Sequence, residues 1–193
     1  YSLSAPFTQE AKELFKTKTR FAGVIWGNTK VTLVTEVLRG KQTSKVSRYS
    51  SADGTIEVLY ERNLTDAYKN PGSPVLMKNA YGREVIQFTD NGTKILMNNP
   101  VGSSDQGDLP FISKFDLATK KNEIIWRAKP GYFEQVEEVI DADKLIVLSR
   151  KESQTEVPNY FIKHLLNPSQ DKALTQFENP YPNLVGITKE KIK

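Results

Sequence analysis

Three times along this chain an apolar run, a tight polar turn and a second apolar run follow one another. The first spans Val24 to Val31 around Gly27-Asn28-Thr29-Lys30, the second Ile86 to Ile95 around Asp90-Asn91-Gly92, and the third Val139 to Leu145 around Asp141-Ala142-Asp143. Each is followed by a second hairpin signal, at Ser51-Ala52-Asp53-Gly54, at Asp116 to Lys121, and at Asn167-Pro168-Ser169-Gln170. Two hairpins make four strands, and the turn lysines Lys30, Lys94 and Lys144 recur at intervals of about 50 to 65 residues. A four-stranded unit of roughly 40 to 50 residues, repeated in series, is the sequence mark of a β-propeller blade. The repeat predicts an all-β chain, a β-propeller fragment of about three four-stranded blades.

The expected layout is an N-terminal segment over 1–20, a first blade over 21–66, a second over 67–131, a third over 132–182, and the start of a further strand or a linker over 183–193. The second repeat is the longest, and residues 98–110, rich in Gly, Ser, Asp and Pro, read as a long loop between its second and third strands. The runs Val31–Val37, Ile56–Tyr60, Glu84–Phe88, Lys94–Met97, Phe111–Phe115, Glu123–Trp126 and Leu145–Leu148 read as strands bounded by turn residues. One helix is expected, over Thr8–Thr17, from Ala11, Leu14 and Phe15 at i, i+3 and i+4. A restart at Leu184–Thr188, three blades where propellers have at least about four, and a first residue that is not methionine predict a cut or processed chain.

The charges, 27 Lys and Arg against 23 Asp and Glu, alternate in sign along the chain, a balance too weak and too scattered to argue for a nucleic-acid or membrane-surface partner. No apolar run is long enough for a transmembrane helix. With no cysteine there is no thiol nucleophile, no disulfide and no Cys-based metal site. No G-x-S-x-G elbow occurs, and the lone His164 is the sole candidate for a triad base, reading as an ordinary strand histidine. One histidine cannot make a zinc site, and Asp141-Ala142-Asp143 lacks the glycine and distal glutamate of a calcium loop, so no catalytic residue, cofactor or metal ligand is assigned. Trp26 and Trp126 read as core or blade-to-blade packing residues. Arg150 to Glu156 reads as a solvated blade loop of mixed charge in preference to one that binds charged substrate ends.

The opening Ser4-Ala5-Pro6-Phe7, Glu13 to Thr17, and Arg20-Phe21-Ala22-Gly23-Val24-Ile25-Trp26-Gly27 resemble the propeller of the glutamyl endopeptidase-like branch of the prolyl oligopeptidase family of serine peptidases. The stretches 70–77, 107–126, 150–161 and 175–192 resemble that branch in the same order. The resemblance implies a non-catalytic N-terminal propeller that gates peptide access to a C-terminal α/β-hydrolase domain absent from this chain. It implies peptide substrates as partners, a secreted or periplasmic setting, and a basic residue facing the active-site cavity, for which Arg150 and Lys151 are the candidates. Glu36 to Lys41 departs from the branch in lacking bulky aromatic residues. The reading from another class is a stand-alone propeller that binds or scaffolds a partner. Blade edges left uncovered would let copies of the fragment pair with each other.

Overall fold

The computed structural model describes residues 1–181, 183, 186 and 187. Its chain forms two compact units, Tyr1–Lys69 with Leu76–Gln87, and Asn70–Val75 with Phe88–Lys193. In the first unit, β1 (Arg20–Asn28), β2 (Val31–Leu38), β3 (Thr43–Tyr49) and β4 (Ile56–Asn63) make one antiparallel sheet in sequence order. Val31, Leu33, Val34, Val46, Tyr49 and Leu59 form its buried apolar set. Val31 to Val34 are buried consecutively, as an inner strand covered on both faces requires. The β1–β2 turn closes because the Asn28 side-chain carbonyl accepts the Lys30 and Val31 amides at 2.9 and 3.0 Å.

The helix expected over Thr8–Thr17 does not form. Ser2 and Lys12 instead make an antiparallel bridge, with amide-to-carbonyl distances of 2.7 and 2.8 Å in the two directions. Phe15 leaves any helical face to meet Tyr49 in a tilted ring contact, with ring centroids 5.1 Å apart. A helix this short gains little alone, and the segment is pulled out at its far end, where the Lys18 and Thr19 amides donate to Glu36 Oε1 at 2.7 and 2.8 Å. Trp26, expected in core or blade-to-blade packing, stands half exposed on β1, so it is not a core residue.

Four short strands follow: β5 (Ser73–Pro74), β6 (Leu76–Lys78), β7 (Glu84–Ile86) and β8 (Phe88–Thr89). The run Glu84–Phe88, expected as one strand, therefore breaks at Gln87. β6 and β7 pair as a hairpin of the first unit, its turn closed by Asn79 Oδ1, while β5 and β8 join the second.

In the second unit, β9 (Lys94–Asn99) is flanked on one side by β5 and β8, which together occupy one strand position. After β10 (Ser103–Ser104) and β11 (Gly107–Asp108), which pair with each other, β12 (Phe111–Asp116) and β13 (Asn122–Arg127) complete a sheet of order β13-β12-β9-β5. The extra length of this repeat thus lies in two places: the 98–110 connection, which carries its own small ladder, and the 76–86 hairpin interrupting the first strand. The next sheet runs β14 (Phe133–Asp141), β15 (Ile146–Glu152), β16 (Asn159–His164) and β17 (Lys172–Ala173) in order.

Leu96 and Ile112 from one sheet and Val136, Ala142, Leu145, Val147 and Leu165 from the next form one buried cluster, with Trp126 packed against it. Asn98 Nδ2 adds a hydrogen bond to the Val136 carbonyl at 3.1 Å. Three four-stranded antiparallel sheets met in series make this an all-β fragment of a β-propeller. The expected restart at Leu184–Thr188 falls for the most part outside the described residues.

Candidate functional site

Three connections of the second unit gather at one end of its two sheets: the β9–β12 link, residues 128–132 between the sheets, and the β15–β16 link. They line an open cavity of about 750 Å³ that includes Gln106, Asp108, Tyr132, Phe133, Glu152 and Glu156. The geometry follows from strand order, since in an up-and-down sheet alternate connections emerge at the same end.

The β9–β12 link is held by buried polar groups at its root. Asn99, 2% exposed, accepts the Val101 and Gly102 amides at 3.1 and 2.8 Å through Oδ1 and donates through Nδ2 to the Asn70 carbonyl at 2.8 Å. Gly102 has φ +62°, and a Cβ there would overlap the Leu109 carbonyl, so only glycine fits without displacement. Arg127 then ties the loop's two ends, donating from Nη1 to the Gly102 and Leu109 carbonyls at 3.1 and 3.2 Å while its guanidinium lies 4.7 Å from the Phe111 ring centre. The β15–β16 link is a closed turn, with Ser153 Oγ accepting the Thr155 and Glu156 amides.

Arg150 and Lys151, adjacent on β15, point to opposite faces of the sheet. Arg150 is occupied: Nε lies 3.1 Å from Glu137 Oε1, and Nη1 lies 2.8 Å from Glu152 Oε1. Burial alone would lower its pKa, but the hydrogen bond it donates to Glu137 and the charge of Glu152 outweigh it and raise it. Lys151 Nζ sits 3.7 Å from the Tyr132 ring centre and 5.9 Å from that of Phe161. Among the described residues no carboxylate lies within ion-pair distance of it. His164 is at the far end of β16 from this loop cluster, its amide donating to Asp171 Oδ1 at 2.8 Å. No described residue pairs a hydroxyl nucleophile with that imidazole.

Sequence reasoning passed over Asn99, Arg127 and Glu134. The run Asn98-Asn99-Pro100-Val101-Gly102 does carry turn chemistry that signals Asn99. Nothing local marks Glu134, whose partners Ser149 at 3.0 Å and Lys163 at 3.1 Å lie on two other strands.

No family model matches the chain. Among curated proteins it is 32% identical over 203 residues to a probable chloroplastic glutamyl endopeptidase of Oryza sativa subsp. japonica, covering 97% of this chain and 21% of that protein. It is 32% identical over 201 residues to a protein of the same description from Arabidopsis thaliana, covering 96% of this chain and 21% of that one. Among solved structures, TolB from Acinetobacter baumannii aligns over 88% of this chain and 36% of its own, at 15% identity and a TM-score of 0.47. The chain spans about a fifth of the length of the curated relatives it matches. Over nearly all its residues the chain is thus similar in sequence to part of two probable glutamyl endopeptidases, and its successive antiparallel sheets have the pattern of β-propeller blades.

Proposed function

We propose that this chain is the substrate-gating part of a serine peptidase, non-catalytic in itself, whose serine, aspartate and histidine stand on an α/β-hydrolase domain elsewhere in the same parent protein. The observation that carries the reading is its kinship with glutamyl endopeptidases over nearly all of this chain and only a fifth of theirs. The physical support is the loop cluster. Blades closed into a ring leave an axial opening, and the connections at one end control what enters it, so a braced loop such as 100–110 narrows access to short, extended peptides. A secreted or periplasmic setting belongs to the same proposal and rests on the resemblance alone, since the named relatives are described as chloroplastic.

The test is made on the intact parent. Replacing residues 103–108 by a two-residue turn should leave cleavage of a short Glu-containing chromogenic peptide within about two-fold. The same change should raise cleavage of an unfolded polypeptide such as reduced, alkylated casein several-fold. Unchanged selectivity between the two substrates would remove the gating role.

A further inference from the structure

We infer that Asn91 is a covalent modification site, losing its side-chain amide to intramolecular attack by the Gly92 nitrogen. The site lies at the opposite end of β9 from the loop cluster and does not depend on the gating reading. Asn91 is the one asparagine of the chain followed by glycine. Both residues are exposed, and a Cβ on Gly92 would meet nothing within 4 Å, so the attacking nitrogen is uncrowded. Asparagines on other turns are locked. Asn28, Asn63, Asn70, Asn79 and Asn99 each accept the amide two residues on through Oδ1, which fixes the side-chain rotamer. Among the described residues nothing holds the Asn91 side chain, so its Cγ is free to turn toward the next nitrogen.

Asp90, Asn91 and Gly92 stand consecutively in the left-handed region, at φ +52°, +55° and +82°. Residues with side chains are disfavoured there, so opening this turn forfeits less than opening an unstrained one. The Gly92 amide donates to the Thr89 carbonyl at 3.1 Å, and that bond must break before the nitrogen can attack. In the reaction a bond forms between the Gly92 nitrogen and Asn91 Cγ, the Cγ–Nδ2 bond breaks, and ammonia leaves with the proton from the Gly92 nitrogen. Water then opens the succinimide ring. Its attack at Cγ gives aspartate, and its attack at the main-chain carbonyl gives isoaspartate, with the chain now running through Cβ and Cγ. Either product places a new carboxylate beside Asp90, which Lys114 already holds at 2.8 Å. Isoaspartate also lengthens the turn by one backbone atom and upsets the Gly92-to-Thr89 and Thr93-to-Asp90 hydrogen bonds that close it. β8 pairs with β9 only through Phe88 with Ile95 and Thr89 with Lys94, so β8 is the strand that loosens.

The experiment ages the 193-residue chain at mildly alkaline pH and physiological temperature, folded and in urea, and follows each asparagine by peptide mass spectrometry. In the folded chain Asn91 should react only about five-fold more slowly than in the unfolded one, the effect of opening one exposed backbone hydrogen bond. Asn28 and Asn99 should be protected far more strongly. The rate at Asn91 should rise with pH, because the attacking nitrogen must lose its proton. N91G, which suits the left-handed backbone, should abolish ammonia loss at this position and keep the fold. Amide hydrogen exchange from Phe88 to Ile95 should quicken in the aged chain but not in fresh N91D, which carries the charge without the extra backbone atom. Protection of Asn91 in the folded chain equal to that of Asn99, or exchange unchanged by isoaspartate, would overturn the inference.

Discussion

The connection between the second and third strands of a sheet differs sharply between the first unit and the second. In the first it is the single turn Arg39–Lys41 followed by Gln42 at φ +50°, and Gly40 there has no atom near its would-be Cβ. In the second it is a longer loop with an internal ladder, a buried asparagine at its root, an obligatory glycine and an arginine clamp. The first needs only a short reversal and leaves the sequence free. The second fixes a particular loop shape, and each fixed point is a polar group or glycine whose removal leaves something unsatisfied or overlapping. Structural precision is concentrated where the cavity is.

Substitutions can break that contrast, beginning with the largest effect. Gly102→Ala should cost about 3 kcal/mol or more in chemical denaturation, through left-handed backbone and collision with the Leu109 carbonyl. Glu36→Gln should cost about 3 kcal/mol, because the 3%-exposed carboxylate holds Lys45 and the two amides that anchor the N-terminal segment.

Burial pushes the Glu36 pKa up, but the Lys45 hydrogen bond and the Thr19 and Lys18 amides outweigh it and hold it below its ordinary 4.5. Its contribution to stability is therefore fully present above that value and is lost as pH falls through the lower folded-state pKa. Denaturation midpoints from pH 6 to pH 3 should fall for the wild type, and the part due to Glu36 should vanish in Glu36→Gln. Asn99→Leu should cost about 2 kcal/mol by orphaning the Asn70 carbonyl and the Val101 and Gly102 amides. Gly40→Ala in the short turn should fall within about 0.5 kcal/mol of wild type, and a larger loss there would erase the contrast.

Much of the fold was legible because hairpin turns carry their chemistry locally. Asn28, Asp116 and Asp141 each begin a turn by accepting amides two and three residues on, and each could be read from its neighbours alone. The N-terminal helix was misread because its apolar spacing was real while its partners were distant. Phe15 meets Tyr49, and Lys18 and Thr19 meet Glu36, contacts no local window contains. The 76–86 hairpin was missed for a related reason, since β5 and β8 share one strand position only when both pair with β9.

At the site, the charged run from Arg150 drew attention by composition. Strand alternation, and the carboxylates of Glu137 and Glu152, leave Lys151 and not Arg150 without a carboxylate partner among the described residues.

The most direct test of the central claim is a peptidase assay with a Glu-containing chromogenic peptide, run on this 193-residue chain and on the intact parent side by side. The account predicts cleavage by the parent and none by the chain alone. Cleavage by the chain alone that is abolished by His164→Ala would contradict it, placing chemistry where the account assigns only access.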